Sequence, residues 1–273
     1  NAGVIAQGAA TAAVPSNLRP GLYGASADLP DLYRDGCILS DGTTALSECA
    51  FGDPTSPTTV VLFGDSHAAQ WFPAMQTVAT AHHWRLEVLT KKGCPTATLE
   101  LRNRQRNREC APWRDLVEAR LALERPALVV MSAYRYNLAG PDASLSPDDA
   151  WRRGLDVTVA AIRDSTTQLL LLGDTPTPRG DVPSCVAGHL RDVTACTASR
   201  SRAVKDARLA VEADVAVAHH AVAIATGDWL CTATTCPVII GDLLMYRDDS
   251  HLTATASLWL APFLDAALTP LVG

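Results

Sequence analysis

Residues 59–72, TVVLFGDSHAAQWF, decide the fold of this chain. Residues 60–63 form a continuous apolar run, which is typical of a strand buried on both faces. After Gly64 and Asp65, apolar residues return at the spacing of one helical face. The stretch therefore predicts a strand, a tight turn and a helix.

Ser66 lies where this strand meets its helix. The first N–H groups of a helix have no partner within the helix, and its dipole favours negative charge there. A hydroxyl at this position can act as a nucleophile beside a site for an anion. The alternative is that Ser66 only caps the helix.

A second informative stretch, YRDDSHLT at residues 246–253, lies near the other end of the chain. Asp248 and His251 are three residues apart, so the carboxylate can reach one ring nitrogen and leave the other free. With Ser66 they give the chain order Ser, Asp, His of other α/β serine hydrolases. Asp249 is the alternative acid, at a poorer spacing. The Ser66 turn lacks the second glycine of G-x-S-x-G, which argues against the α/β-hydrolase fold.

Three motifs carry a resemblance to a known family: FGDSHA at 63–68, KGCP at 92–95 and YRDDSHL at 246–252. They resemble the SGNH (GDSL-type) hydrolases, and in particular the C-terminal extracytoplasmic SGNH domain of bacterial acyltransferase-3 membrane proteins. The resemblance covers about residues 37–273. It implies a three-layer, flavodoxin-like α/β fold with a central, mainly parallel sheet flanked by helices. It also implies acyl chemistry by Ser66, His251 and Asp248, and we expect no cofactor and no metal.

The resemblance also implies a function and a location. We expect an extracytoplasmic O-acyltransferase that moves an acetyl or other short acyl group to hydroxyls of a cell-envelope polysaccharide or glycolipid. A membrane acyltransferase-3 domain would deliver the acyl donor, and the chain would be tethered to the plasma membrane. The alternatives are a carbohydrate esterase or deacetylase, and a catalytically silent glycan-binding module.

Length and charge narrow the possibilities further. A chain of 273 residues and 29.0 kDa can fold as one α/β domain. We expect a single catalytic domain over 37–273, preceded by an irregular lead-in or linker over 1–36. The net charge of −6 argues against a nucleic-acid partner. Continuous apolar runs are too short to predict a membrane span.

The eight cysteines fall into four pairs of neighbours along the chain. Short loops closed in this way are typical of disulfides in an oxidising compartment. Zinc is the alternative, but there is no C-x-x-C pair and no pair has a histidine at ligand spacing. The sequence leaves the connectivity open, and the expected pairs are Cys37–Cys49, Cys94–Cys110, Cys185–Cys196 and Cys231–Cys236.

Candidates for the oxyanion hole follow further predicted strands. Gly93 follows the second strand and can offer an N–H to an oxyanion together with that of Ser66, or it only permits a turn. A third strand over 127–132 precedes Arg135 and Asn137. The G-x-N-D motif that usually supplies an oxyanion-hole Asn in SGNH enzymes is absent. Asn137 or Arg135 is the candidate replacement.

Other polar residues are candidates for substrate contact. Asp65 and His67 flank the nucleophile, and Arg135 follows the third strand. Asp174 follows a fourth strand over 168–173, where it can also serve as a cap or turn residue. The basic stretch 102–108 can meet an anionic envelope polymer, or it is a solvated surface. Helical spacing predicts helices over 113–123, 146–162 and 200–217, and a last helix to Leu268 kinked at Pro262.

Overall fold

The computed structural model of the chain describes residues 5, 11–101, 103–134 and 144–273. A seven-stranded sheet forms its centre, and two short two-stranded sheets lie outside it. The strands are β1 (Ile38–Leu39), β2 (Ala50–Gly52), β3 (Thr59–Gly64), β4 (Arg85–Lys91), β5 (Leu128–Ser132), β6 (Gln168–Leu172), β7 (Ala198–Ser199), β8 (Val222–Ile224), β9 (Thr235–Cys236), β10 (Ile239–Ile240) and β11 (Leu243–Leu244).

The strand order of the central sheet places the functional site. The order is β1-β4-β3-β5-β6-β8, and every neighbouring pair in it is parallel. β2 pairs antiparallel with β4. The chain leaves β3 for β4 on one side and then crosses to β5 on the other side. In an open α/β sheet, the crevice at the carboxyl end of such a switch point is where ligands bind.

The sheet is covered on both faces, as the apolar run in β3 predicts. Val60 and Leu62 belong to one buried cluster, and Val61 and Phe63 belong to the other. Because successive strand residues point to opposite faces, both faces of β3 lie in apolar surroundings. The central strand is therefore a rigid base for the turn that follows it.

Helices lie against both faces of the sheet. α3 (Arg104–Glu124), α4 (Pro147–Ile162) and α7 (Asp206–Ala218) pack on one face, where Trp113, Leu155 and Val215 enter the core. α2 (Phe72–Ala81) and α10 (Ala261–Val272) pack on the other face through Met75 and Leu264. The helices are α1 (Ser66–Ala69), α2 (Phe72–Ala81), α3 (Arg104–Glu124), α4 (Pro147–Ile162), α5 (Val182–Gly188), α6 (Arg200–Ala203), α7 (Asp206–Ala218), α8 (Gly227–Leu230), α9 (Ala254–Trp259) and α10 (Ala261–Val272).

Three helices differ from the sequence prediction. α3 begins at Arg104 because the Asn103 side chain accepts from two N–H groups of its first turn. The helix expected over 200–217 is interrupted between α6 and α7, where Val204 is extended. The last helix is not continuous through Pro262 with a kink, because it is interrupted at Leu260, between α9 and α10. Pro262 lies in the first turn of α10, where its missing N–H costs no helical hydrogen bond.

Part of the expected N-terminal lead-in packs on the domain. Ala25 and Leu32 are fully buried in the core, and Tyr33 ends a short 3₁₀ helix (Asp31–Tyr33). Arg19 forms an ion pair of 2.9 Å with Asp242. Residues 11–36 thus contribute to the fold, and Tyr33 reaches the cleft described below.

Four disulfides close loops around the sheet. Each joins cysteines that are neighbours along the chain. His189 lies beside Cys185 and Cys196 at ligand distance, but those two sulfurs are bonded to each other and offer no pair of thiolates. None of the helices in the described ranges is long and apolar enough to cross a membrane. The disulfides are Cys37–Cys49, Cys94–Cys110, Cys185–Cys196 and Cys231–Cys236.

Candidate active site

A chain of hydrogen bonds joins the two stretches that the sequence singled out. Ser66 Oγ lies 2.9 Å from His251 Nε2, and His251 Nδ1 lies 2.8 Å from Asp248 Oδ2. A carboxylate only accepts, so Nδ1 carries the proton and donates to Asp248. The lone pair of Nε2 is then free to accept the hydroxyl proton of Ser66. This is the geometry that a serine nucleophile and its general base require.

Asp248 is fixed by its own neighbours. Its Oδ1 accepts from the backbone N–H of Ser250 at 2.8 Å and of His251 at 2.7 Å, and Arg247 Nη1 lies 3.3 Å from Oδ2. Burial alone would raise the pKa of Asp248, but the His251 hydrogen bond and these N–H groups hold it below its usual range. Asp248 therefore stays ionised and keeps the His251 ring in one tautomer and orientation.

The His251 ring is tuned toward its neutral form. Burial lowers its pKa, and the nearby His67 lowers it further, while the hydrogen bond to Asp248 acts in the opposite direction. A neutral imidazole is the form that can take the proton of Ser66. The environment thus favours the basic form of His251 near neutral pH.

His67 and Asp174 form a second His–Asp pair next to the Ser66–His251–Asp248 hydrogen bonds. His67 Nδ1 lies 2.6 Å from Asp174 Oδ1, and the His67 side chain is only 3% exposed. Burial lowers the pKa of His67, but Asp174, with smaller contributions from Asp65 and Asp248, outweighs burial, and the net shift is upward. The Asp174 carboxylate also accepts from the Thr175 N–H. Asp174 is therefore engaged with His67, and His67 presents part of its ring to the cleft.

Asp65 builds the turn that carries the nucleophile. It is fully buried, and its carboxylate caps α1 by accepting from the His67 N–H at 2.7 Å. Its other oxygen accepts from the Tyr134 N–H at 2.9 Å, just beyond β5. These contacts tie the turn to the next strand and leave Asp65 no surface for a substrate.

Gly93 lines the same cleft as the nucleophile and has an available N–H. It has a φ of +70°, which favours glycine, and both Gly93 and Ser66 line the same cleft. Within the described ranges, the N–H groups of these two residues have no acceptor. Two free N–H groups near a serine hydroxyl suit a developing oxyanion. Asn137 and Arg135, the other candidates, lie outside the described residues.

The cleft over the triad has a volume of about 1410 Å³. Three residues at the site carried no catalytic signal in the sequence. Tyr33 comes from the N-terminal region, and its hydroxyl accepts from Arg247 at 3.2 Å. Gln70 is buried and accepts from the Leu252 N–H at 2.8 Å, which fixes the chain just after His251. Arg247 was detectable only as a neighbour of Asp248. From the sequence, packing against the sheet is the favoured interpretation of Tyr33, with a place in a cleft as the alternative, and Gln70 is recognised from the tertiary structure alone.

Comparison with known protein families shows which family the chain belongs to. The family model described as the SGNH domain fused to AT3 domains matches residues 36–266. The chain belongs to this family. The match confirms the resemblance seen in the short motifs.

Solved structures share the fold of this SGNH domain. The periplasmic domain of a lipopolysaccharide acetyltransferase from Salmonella ser. Paratyphi A is 13% identical, with a TM-score of 0.61 and 87% of each chain covered. Est24, a carbohydrate acetylesterase from Sinorhizobium meliloti, is 14% identical with a TM-score of 0.52, and the match covers 78% of this chain and 99% of Est24. The predicted α/β class with a central parallel sheet is confirmed. No curated protein sequence matches the chain.

Proposed function

We propose that this SGNH domain is a serine-dependent O-acyltransferase. Ser66 is the nucleophile, His251 the general base and acid, and Asp248 the residue that orients His251. The observation that carries the proposal is the unbroken set of contacts of 2.9 Å and 2.8 Å from Ser66 through His251 to Asp248. A silent binding module would not need this arrangement.

The first half of the reaction loads the serine. His251 Nε2 takes the proton of Ser66 Oγ as the oxygen attacks the carbonyl carbon of the acyl donor. The carbonyl oxygen becomes an oxyanion that accepts from the N–H groups of Ser66 and Gly93, each such donor contributing about 2.7–4 kcal/mol to the lowering of the barrier. The bond to the leaving group then breaks, and the leaving group takes the proton from His251. The product is an acyl-serine ester.

The second half transfers the acyl group. A sugar hydroxyl enters the cleft, His251 takes its proton, and its oxygen attacks the acyl-serine carbonyl. The bond to Ser66 Oγ breaks, and Ser66 recovers its proton from His251. If water attacks in place of the sugar, the same residues give an esterase. The cleft is wide enough to hold a sugar over Ser66.

The cellular context follows from the family and the disulfides. Four disulfides favour an oxidising compartment, and the family joins SGNH domains to AT3 membrane domains. We therefore place this domain on the extracytoplasmic side of the plasma membrane. The AT3 domain supplies the acyl donor, and the acceptor is an envelope polysaccharide or glycolipid. The acetyltransferase structure in the comparison supports an acetyl group as the cargo.

The test is intact-mass analysis after incubation with p-nitrophenyl acetate, with and without an acceptor glycan. We expect a transient acetyl adduct on the wild type and none on Ser66→Ala. Ser201→Ala is the matched control, because Ser201 also lines the cleft but takes no part in the triad. Adduct on both variants would place the nucleophile elsewhere.

The fate of the adduct separates the two chemistries. Transfer of the acetyl group to a glycan hydroxyl, faster than its loss to water, establishes an acyltransferase. Loss to water alone, with or without glycan, establishes an esterase. Absence of both adduct and nitrophenol release from the wild type would overturn the catalytic proposal.

A further inference from the structure

The cleft has a charge opposite to that of the whole chain. The chain has 23 basic and 29 acidic residues, a net charge of −6. The described lining of the cleft has five cationic and two acidic side chains. Cations gathered in a cleft concentrate an anionic partner there. The cationic residues are Lys92, Arg106, Lys205, Arg208 and Arg247, and the acidic ones are Asp148 and Asp206.

Two of these cations are already committed to protein groups. Arg247 contacts Asp248 and the Tyr33 hydroxyl. Arg208 donates to Glu212 at 2.7 Å, and its guanidinium lies over the Trp151 ring at 3.1 Å from the centroid. These contacts neutralise or sequester both charges, so neither is the main candidate for a ligand.

Lys92 and Arg106 differ from those two. Within the described ranges, neither has a carboxylate at ion-pair distance. The Lys92 ammonium lies 5.0 Å from the centroid of the Tyr33 ring, which leaves its hydrogen-bond donors to the cleft. Arg106 has a buried Nε without any acceptor among the described residues, as do Arg208 at Nη2 and Arg247 at Nε, but the latter two guanidiniums are paired with carboxylates and that of Arg106 is not. Such a buried donor is costly unless a ligand accepts from it.

The position of Arg106 is set by its contact with Gly93. A Cβ placed on Gly93 would lie 2.5 Å from Cζ and from Nη1 of Arg106, so the guanidinium fills the space that only a glycine leaves. The disulfide between Cys94 and Cys110 fastens the Gly93 turn to α3, one helical turn beyond Arg106. The guanidinium is thus held next to the proposed oxyanion donor rather than free on the surface.

We propose that Arg106, which lies against Gly93, and Lys92, which precedes Gly93 in the chain and lines the same cleft, form a subsite for an anionic group of the acceptor glycan. Carboxylate and phosphate match this pair, since a guanidinium binds their oxygens with two parallel hydrogen bonds and an ammonium adds a point charge. The acceptor is therefore a glycan with uronate or phosphate groups near the acylated hydroxyl. This inference names the substrate class of the proposed acyltransferase and rests on that function.

Binding to Ser66→Ala tests the subsite without turnover. The probes are trigalacturonate for a carboxylate and mannose 6-phosphate for a phosphate, each titrated calorimetrically beside a neutral counterpart, the trigalacturonate triamide or mannose. We expect the anionic member of at least one pair to bind more tightly. Adding Arg106→Gln should weaken that binding roughly tenfold, the scale of one charge-assisted hydrogen bond, and should not weaken binding of the neutral sugar.

Arg108→Gln is the matched control, since Arg108 is exposed on the same helix and does not line the cleft. It removes the same charge and should leave binding unchanged. An equal loss of affinity with Arg108→Gln would mean that the positive charge of the helix attracts the anionic sugar without a defined subsite. Equal affinity for charged and neutral members of both pairs would overturn the subsite.

The effect of Arg106→Gln on acylation distinguishes an acceptor subsite from the alternative that Arg106 stabilises the oxyanion. If Arg106→Gln slows formation of the acetyl adduct from p-nitrophenyl acetate as much as it slows transfer to the anionic sugar, the guanidinium acts on the oxyanion and the subsite proposal falls. If the wild type forms no adduct but Ser66→Ala binds the anionic sugar through Arg106, the catalytic proposal fails and the subsite stands.

Discussion

The imidazole rings of His67 and His251 lie against each other, with centroids 4.5 Å apart and an angle of 45° between their planes. His67 is in turn paired with Asp174. The general base of the proposed reaction therefore has a second His–Asp pair at its side. Through that contact, the charge of His67 opposes protonation of His251.

This contact predicts a shift in the pH profile. The base His251 must be neutral, and its pKa is lowered by burial and by His67, so kcat/KM for ester cleavage should still be high below the ordinary histidine pKa. His67→Gln removes the positive neighbour, and the acidic limb should move to higher pH. Asp174→Asn lowers the pKa of His67, so that His67 becomes neutral and no longer opposes protonation of His251. The acidic limb should therefore also move to higher pH.

The measurement is kcat/KM for p-nitrophenyl acetate over the pH range of the acidic limb. His82→Gln is the control, because His82 also pairs with an aspartate, Asp265, but does not line the cleft. A merely structural role for His67 would lower the rate at every pH and leave the limb in place.

Gly64 sets how closely the nucleophile turn approaches the next strand. Its φ is +151°, and a Cβ there would lie 1.9 Å from the Ser132 carbonyl oxygen and 2.8 Å from the Ala68 Cβ. Gly64→Ala should cost about 2 kcal/mol or more of unfolding free energy, because backbone must move to admit the methyl group. Urea unfolding measures this. Gly180→Ala, which has no heavy atom within 4 Å of its Cβ, should change stability little.

Gln70 holds the loop that carries His251 by a hydrogen bond to its backbone. Gln70→Ala would leave the Leu252 N–H without its acceptor, which should cost about 1–3 kcal/mol of unfolding free energy. A displaced His251 should also lower the rate of adduct formation by roughly 10- to 100-fold. Denaturant unfolding and rapid-quench mass analysis check the two effects. Gln76→Ala on α2 is the matched control. Unchanged acylation in Gln70→Ala would remove its positioning role.

Glu87, which does not line the cleft, makes the stability of the fold depend on pH. It is 3% exposed, and burial together with Glu124 raises its pKa to about 7. Between the ordinary value of 4.5 and 7, the folded state binds more protons than the unfolded state. The free energy of unfolding therefore falls as pH rises through this window, by up to about 3 kcal/mol.

Glu87→Gln should flatten this dependence, which urea unfolding at a series of pH values between 5 and 7 can measure. Glu48→Gln is the control, since Glu48 and Glu87 both lie at ion-pair distance from Arg120, but the pKa of Glu48 is lowered and lies outside the window. The same slope in wild type and Glu87→Gln would assign the pH dependence to other groups.

The sequence by itself determined the central strand, the Ser66 turn and the Asp248–His251 pair. These features are local: an apolar run needs only burial on both faces, and a carboxylate three residues from a histidine can reach it within one turn. The prediction of one helix over 200–217 was wrong, because Val204 is extended between α6 and α7. The last helix was predicted to kink at Pro262, and it is instead interrupted at Leu260, which places Pro262 in the first turn of α10.

The tertiary structure alone decided which distant residues meet. His67 and Asp174 are 107 residues apart, and they meet because the parallel strands β3 and β6 end at the same edge of the sheet. Ser66 and His251 are 185 residues apart, and they meet because the loop after β11, outside the central sheet, is held against the nucleophile turn by the Gln70–Leu252 hydrogen bond. The contact of Arg106 with Gly93 likewise depends on how a disulfide fastens α3 to the turn after β4. No local spacing encodes such contacts, because they depend on strand order and on the packing of helices over the sheet.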